Sequence, residues 1–159
     1  MSLHVKKPLK LLLCIVLCAG LGFAGISVSK ATGGEWYPTL NHPAGTPPAF
    51  IYAIAWTSVY VMMGISLWCI NKAKAHPTAY FLFFLQLLLN LTLSTVFFGF
   101  HHLYLAIAIS LIQDIAIIAT ILTFLTISRP AALLLVPHLM WMLYLSFLNF
   151  GLFVYNPYS

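Results

Sequence analysis

Charge is what this chain lacks most. Its 159 residues include seven Lys and Arg and two Asp and Glu, 6% charged in all, against about 25% in a soluble domain whose surface must face water. With so little acid there are no paired carboxylates, and neither a Ser/His/Asp set nor a phosphate loop is present, so hydrolytic chemistry has no visible apparatus. Cysteine is equally scarce. Cys14, Cys18 and Cys69 all lie in apolar stretches and read as small buried hydrophobes rather than a disulfide framework or metal ligands. Low hydrophobicity is missing too, which excludes a disordered chain. The formal surplus of +5 does not form a nucleic-acid face. Lys6, Lys7 and Lys10, then Lys72 and Lys74, then Arg129 each flank an apolar run, the distribution of membrane topology signals.

What the chain has instead is hydrophobicity, at 62% apolar and 15% aromatic residues with a mean hydropathy of +1.01. That composition belongs to an integral protein solvated by the lipid bilayer, with almost no mass outside it. A hydrocarbon core of about 30 Å needs about 20 apolar residues in a helix. Five segments qualify, at about 9–28, 47–70, 77–98, 103–127 and 130–154. The fold class is therefore all-α: a single domain, 1–159, built as a five-transmembrane-helix bundle. Proline opens three of the helices, at a first-turn position where its missing N–H costs nothing.

A polar loop rich in Gly and Pro, 30–46, joins the first two helices. Six basic residues fall on one side of the bundle and Lys30 alone on the other, which puts the N-terminus inside, the C-terminus outside and this loop outside. The first segment imitates a secretory signal peptide, with lysines, an apolar run and a small-x-small site at Ser29, Lys30 and Ala31. Its apolar core is longer than such signals use, so it reads as a retained helix; cleavage would leave four spans. The short loops, the positive-inside bias and the lack of a transit peptide point to a bacterial inner membrane.

Gly20, Gly22 and Gly25 match a dinucleotide-binding fingerprint literally. No strand precedes them and no acid follows at the required distance, so close helix packing is the better reading. Polar groups inside spans are costly and usually face the protein interior. Trp56, Tyr60 and Gly64 share one face of the second helix, Gln86, Asn90 and Ser94 one face of the third, and His138, Trp141, Leu145 and Asn149 one face of the fifth. At about 1.5 Å per residue, Trp56 lies about 14 Å from the outer end of its helix, Asn90 about 12 Å, Trp141 about 20 Å and Asn149 about 8 Å. Singly, each is an ordinary interhelical contact; together they predict a cavity beneath the loop. Asp114, the one acid within a span, reads either as a proton or cation site of a small transporter or as a group satisfied by a neighbour. His101 and His102 lack a third ligand, so no metal site is expected.

Trp36, Tyr37, Leu40, Pro43, Pro47, Pro48, Trp56, Tyr60, Met63 and Gly64 form a pattern that resembles the translocator protein family, also called tryptophan-rich sensory protein or peripheral benzodiazepine receptor. The likeness continues through QLLLN at 86–90, Ser94, Phe97, Phe98 and Gly99. It ends with Ala131, Ala132, Leu134, Pro137, Trp141, Leu148 and Asn149, and so covers 33–156. The resemblance implies five retained helices, often a homodimer, binding tetrapyrroles of the protoporphyrin IX or haem type, or other hydrophobic small molecules, in an intramembrane pocket, with no required cofactor.

The family's bacterial members resemble sensors or regulators of tetrapyrrole and stress physiology, and light-driven porphyrin degradation is implied for some. On that pattern Trp56 and Trp141 line the pocket, and would carry any photochemistry. Tyr60, Gln86, His138 and Asn149 share their faces, Asn90 gives a polar contact, and Trp36, Pro43 and Pro47 form a lid. The sequence also departs from the family. Leu91 and Leu93 stand where tryptophan is common, Phe50 where tryptophan follows the double proline, and His138 where tyrosine is usual. Phe150 and Val154 replace the Tyr and Arg of the animal sterol motif, itself a weak pattern.

Overall fold

The computed structural model describes residues 7–157; Lys6, counted above among the basic residues, lies outside them. The described chain is helical throughout, with no strand. Helix α1 spans Lys7–Thr32, α2 Ala49–Lys72, α3 Pro77–Ser94, α4 Leu103–Leu125, α5 Arg129–Leu133 and α6 Val136–Tyr155. Five segments are long and apolar enough to cross a membrane, the third running Pro77–Gly99 and the fifth Arg129–Tyr155. The shortest of these, 23 residues, is about 35 Å long at the α-helical rise and exceeds the hydrocarbon thickness.

Backbone chemistry shifts three boundaries from expectation. Pro47 does not open the second helix, because the proline that follows forces it out of the helical region; Pro48 is itself extended at ψ 155° and caps a helix that begins at Ala49. The third span ends in a wide π turn, Thr95–Gly99, with Phe100 N–H donating to Thr95 O at 3.1 Å and His102 N–H to Val96 O at 3.3 Å. His101 then takes a left-handed φ of 57° to reverse the chain. The fifth span is two helices rather than one. Pro137 has no N–H to donate to the Leu133 carbonyl, and the chain instead tightens, Leu135 N–H bonding Ala132 O at 3.0 Å.

The helices close into a ring. Helix α1 packs between α2 and α3, α4 packs between α3 and the fifth span, and α2 packs against α5 and α6. Small residues permit the tightest contacts: a Cβ on Gly64 would sit 2.5 Å from the Ile15 backbone, and one on Gly22 would sit 2.1 Å from the Tyr60 ring. Gly20 meets nothing within 4 Å, so of the three glycines of the literal fingerprint only Gly22 and Gly25 pack.

Two apolar cores lie end to end inside the ring. One, away from the loop, gathers Cys18, Met63, Leu67, Phe83, Phe124 and Ala132. The other, beneath the loop, gathers Leu40, Val96, Phe97, Leu103, Met142 and Leu152. Trp56 packs against both. Large apolar side chains such as Val16, Phe23, Phe81, Leu88, Ile115 and Phe147 point outward and exposed, the arrangement expected where the solvent is lipid.

Candidate ligand-binding site

The site is built where the two cores meet. Tyr52, Trp56 and Tyr60 recur at four-residue spacing on α2 and therefore share a face. Trp56 stacks on Tyr60 with ring centres 5.4 Å apart and planes 18° from parallel. Across the ring, Trp141 of α6 presents its edge to Trp56 at 6.4 Å and 89°, the T-shaped geometry that the aromatic quadrupole favours. Tyr52 at 5.7 Å and Tyr144 at 5.7 Å complete an aromatic wall around Trp141. The Tyr60 hydroxyl donates to Asn90 Oδ1 at 3.2 Å, tying α2 to α3.

Polar atoms without partners lie both deeper than this level, on Gln86 and His138, and nearer the loop, on Gln113 and on Asp114, which is level with Ser146. Both amide atoms of Gln86, both of Gln113, both ring nitrogens of His138 and Nε1 of Trp141 are buried with no hydrogen-bond partner, as is Oδ1 of Asp114. Asp114 Oδ2 accepts from Ser146 at 2.7 Å. Buried polar groups are normally satisfied, and unsatisfied ones point to function or to a missing partner. Trp141 can only donate, His138 can donate and accept, and each amide offers both. A shallow apolar groove of about 350 Å³ lies between α2 and α6, lined by Ala55, Ser58, Val59, Met62, Pro137, Met140 and, of these groups, Trp141 alone.

The loop that joins α1 to α2 is fastened over this end of the bundle. Trp36 stacks on His101 at 4.2 Å and 16° and meets Phe97 edge-on at 5.6 Å, while His101 Nε2 lies 3.1 Å from the Thr32 carbonyl. Tyr37 packs on Phe97, Phe98 and His42. Burial pushes its phenol above the ordinary value, partly offset by a hydrogen bond with Tyr52. At the α6 side the Asn41 N–H donates to Asn156 Oδ1 at 2.9 Å and Asn156 Nδ2 returns a bond to Asn41 O at 3.0 Å. The Tyr144 hydroxyl donates to the Gly45 carbonyl, and buried Pro43 rests on Gly151.

The sequence-predicted residues are thus distributed over two levels. Trp56, Tyr60, Asn90 and Trp141 form one connected group, with Gln86 and His138 buried at its deep side. Trp36, Pro43 and Pro47 belong to the loop, where Trp36 and Pro43 are packed and Pro47 is half-buried. Asn149 is half-buried eight residues beyond Trp141, about 12 Å along α6, away from the indole pair. Sequence reading passed over Tyr52 and Tyr144, one turn from each indole, and over Gln113. Extending the four-residue stripe one step finds Tyr52; the pairing of Trp36 with His101 spans two distant turns and leaves no local signal. Among the described residues no group of three or more His, Cys, Asp or Glu is placed to hold a metal ion.

Comparison with known proteins adds identity to this geometry. The TspO/MBR family pattern matches residues 13–155. The chain is 36% identical over 159 aligned residues to the tryptophan-rich protein TspO of Chlorobaculum tepidum, covering 96% of this chain and 99% of that protein. It is 35% identical to the protein of the same name from Archaeoglobus fulgidus, covering 93% and 97%. Against the translocator protein of Bos taurus it is 31% identical, covering 85% and 83%.

Proposed function

Because the chain belongs to the TspO/MBR family of multi-pass membrane proteins, we propose that it is a membrane receptor or sensor that binds tetrapyrroles, porphyrins of the protoporphyrin type, within its bundle. One observation carries the reading: indoles from two separate helices, Trp56 and Trp141, meet at 6.4 Å beneath a fastened loop. A porphyrin is a large flat aromatic disc, and indole faces with an apolar surround are what such a disc stacks against. The unpartnered Nε1 of Trp141 offers a donor to its polar edge. A groove of about 350 Å³ falls within the roughly 300–1,000 Å³ of small-molecule sites.

In this reading the loop faces outward and the three cationic sites at the helix ends face inward. Lys7, Lys10, Lys72, Lys74 and Arg129 all fall at the ends of spans away from the loop, the side that the positive-inside rule places in the cytoplasm. The bacterial inner membrane is the proposed location and a homodimer the proposed assembly, both carried from the resemblance and the charge pattern.

Protoporphyrin titrated into the purified protein in detergent should quench tryptophan fluorescence saturably. Trp56→Ala and Trp141→Ala should each weaken that binding; an unchanged titration in both variants would overturn the reading. Light-driven porphyrin breakdown is a second reading, favoured by the tyrosines that touch each indole, since oxidisable rings are clustered there. It predicts loss of the porphyrin Soret band under illumination that depends on both indoles, and equal bleaching by free tryptophan would remove it.

A further inference from the structure

A second groove, of about 270 Å³, lies where α1, α2 and α3 meet, at the end of the bundle away from the loop. Its floor is buried Cys14 and Leu67, and its walls are the exposed side chains of Leu13, Leu17 and Phe84. Apolar walls exposed on a spanning bundle face acyl chains rather than water. Asn71 and Tyr80 line the end nearest the membrane surface. The Tyr80 hydroxyl donates to Asn71 Oδ1 at 2.9 Å, and Asn71 Nδ2 reaches Cys14 Sγ at 3.9 Å. These two bonds tie the last turn of α2 to the first turn of α3 and to α1, so the mouth is held in shape.

Cations surround that mouth. Lys10 precedes Cys14 by four residues and Lys7 by seven, so both share its face of α1, about 6 Å and 10 Å nearer the surface. Helical side chains tilt toward the N-terminus, which carries both ammonium groups outward to headgroup level. Lys74 stands in the short turn between Asn71 and Tyr80, at a left-handed φ of 53°, its N–H bonded to the Asn71 carbonyl at 3.3 Å. Lys72 lies over the Trp68 ring at 5.6 Å. The chain's two acids are Glu35, in the loop, and Asp114, midway along α4, so no carboxylate at this end neutralises the lysines. Topology signals explain cations here. They do not explain an apolar, lipid-facing groove opening between them with an amide fixed at its mouth. Basic pockets between spans are suited to acidic lipid headgroups.

We propose that this groove seats an acyl chain of an anionic phospholipid, with the headgroup held by Lys10 and Lys74 and an ester oxygen accepting from the Asn71 amide. The site is separate from the indole pair and stands whether or not a tetrapyrrole binds there. Its test uses the full chain in detergent, offered equal amounts of phosphatidylglycerol and phosphatidylcholine with the same acyl chains, and native mass spectrometry to count the lipid retained. The wild-type protein should keep phosphatidylglycerol in preference. Lys10→Gln and Lys74→Gln should each lower that preference about fivefold. Leu13→Ala combined with Phe84→Ala, both exposed, should weaken retention of either lipid. Arg129→Gln, which removes a cation from the same end outside the groove, should change the preference by less than about twofold. A loss in Arg129→Gln equal to that of the lysine variants would assign the effect to the charge of the whole end and overturn the proposal. So would a wild-type protein without preference. Phosphatidylglycerol present on single chains but absent from paired ones would give the groove to a second copy and overturn it as well.

Discussion

Tyr60 joins three helices through one side chain. Its ring covers Gly22 of α1, stacks on Trp56 of its own helix and sends its hydroxyl to Asn90 of α3. Two effects compete when Gly22 becomes alanine. Replacing a mid-helix glycine gains about 1 kcal/mol in helix propensity, but the new Cβ would stand 2.1 Å from the ring, and overpacking of that kind costs about 1–3 kcal/mol. Because the ring is stacked on Trp56 and its hydroxyl is bonded to Asn90, it cannot shift without losing a contact, and the clash wins. Gly22→Ala should lower stability in thermal unfolding in detergent, and Tyr60→Ala in the same chain should cancel part of the loss, a non-additive pair. A Gly22→Ala protein as stable as wild type would show that the ring moves freely. Ser146→Ala, which strips Asp114 of its bond, should cost about 0.6–1.7 kcal/mol, the range found for hydrogen bonds between membrane helices.

The loop between α1 and α2 behaves as an element in its own right, tied to α3 and α4 through Trp36 and His101 and to α6 through Asn156. Gly45 turns it with a φ of +93°, and its carbonyl accepts from Tyr144, the ring beside Trp141. A side chain at that φ costs about 1–2 kcal/mol, so Gly45→Val should loosen the loop and release Tyr144. Protease nicking of loop 33–48 should quicken, and porphyrin quenching should weaken with no loss of helical circular dichroism; an unaltered nicking rate would refute the fastening.

At this scale the limits of sequence reading are plain. Hydropathy located the five spans because lipid solvation acts on every residue of a segment alike. It missed the break before Pro137 because Leu133, Leu134 and Leu135 are as apolar as their neighbours, and only the missing N–H interrupts the helix. The four-residue stripes found Trp56 with Tyr60 and Gln86 with Asn90, since helical period is local. They also put Asn149 on the face of Trp141, about 12 Å nearer the loop by the helical rise, and the structure keeps that separation.

The molecule as a whole is electrically one-sided, and that asymmetry decides which half of the membrane the candidate site occupies. Lys7, Lys10, Lys72, Lys74 and Arg129 bracket the ends of spans away from the loop, whereas the loop end carries Lys30 beside Glu35. The aromatic wall lies in the half covered by the loop, between Tyr37 above and Tyr60 below. A chain inserted with its cationic end inward therefore holds the aromatic wall in the outer half of the membrane, and one inserted the other way would hold it in the cytoplasmic half. Single cysteines at Asn41 and at Lys74, in a chain whose Cys14, Cys18 and Cys69 have been changed to alanine, separate the two. A membrane-impermeant maleimide added to intact cells should label the Asn41→Cys protein and spare Lys74→Cys until the membrane is opened. The reverse pattern would turn the protein over and with it the proposed direction of sensing. Adding lysines to the loop, as Thr39→Lys with Asn41→Lys, weakens the bias that orients the chain, because each loop charge counts against the opposite end. The labelled fraction at position 74 should then rise in intact cells, which ties the orientation to the charge count rather than to the loop's shape.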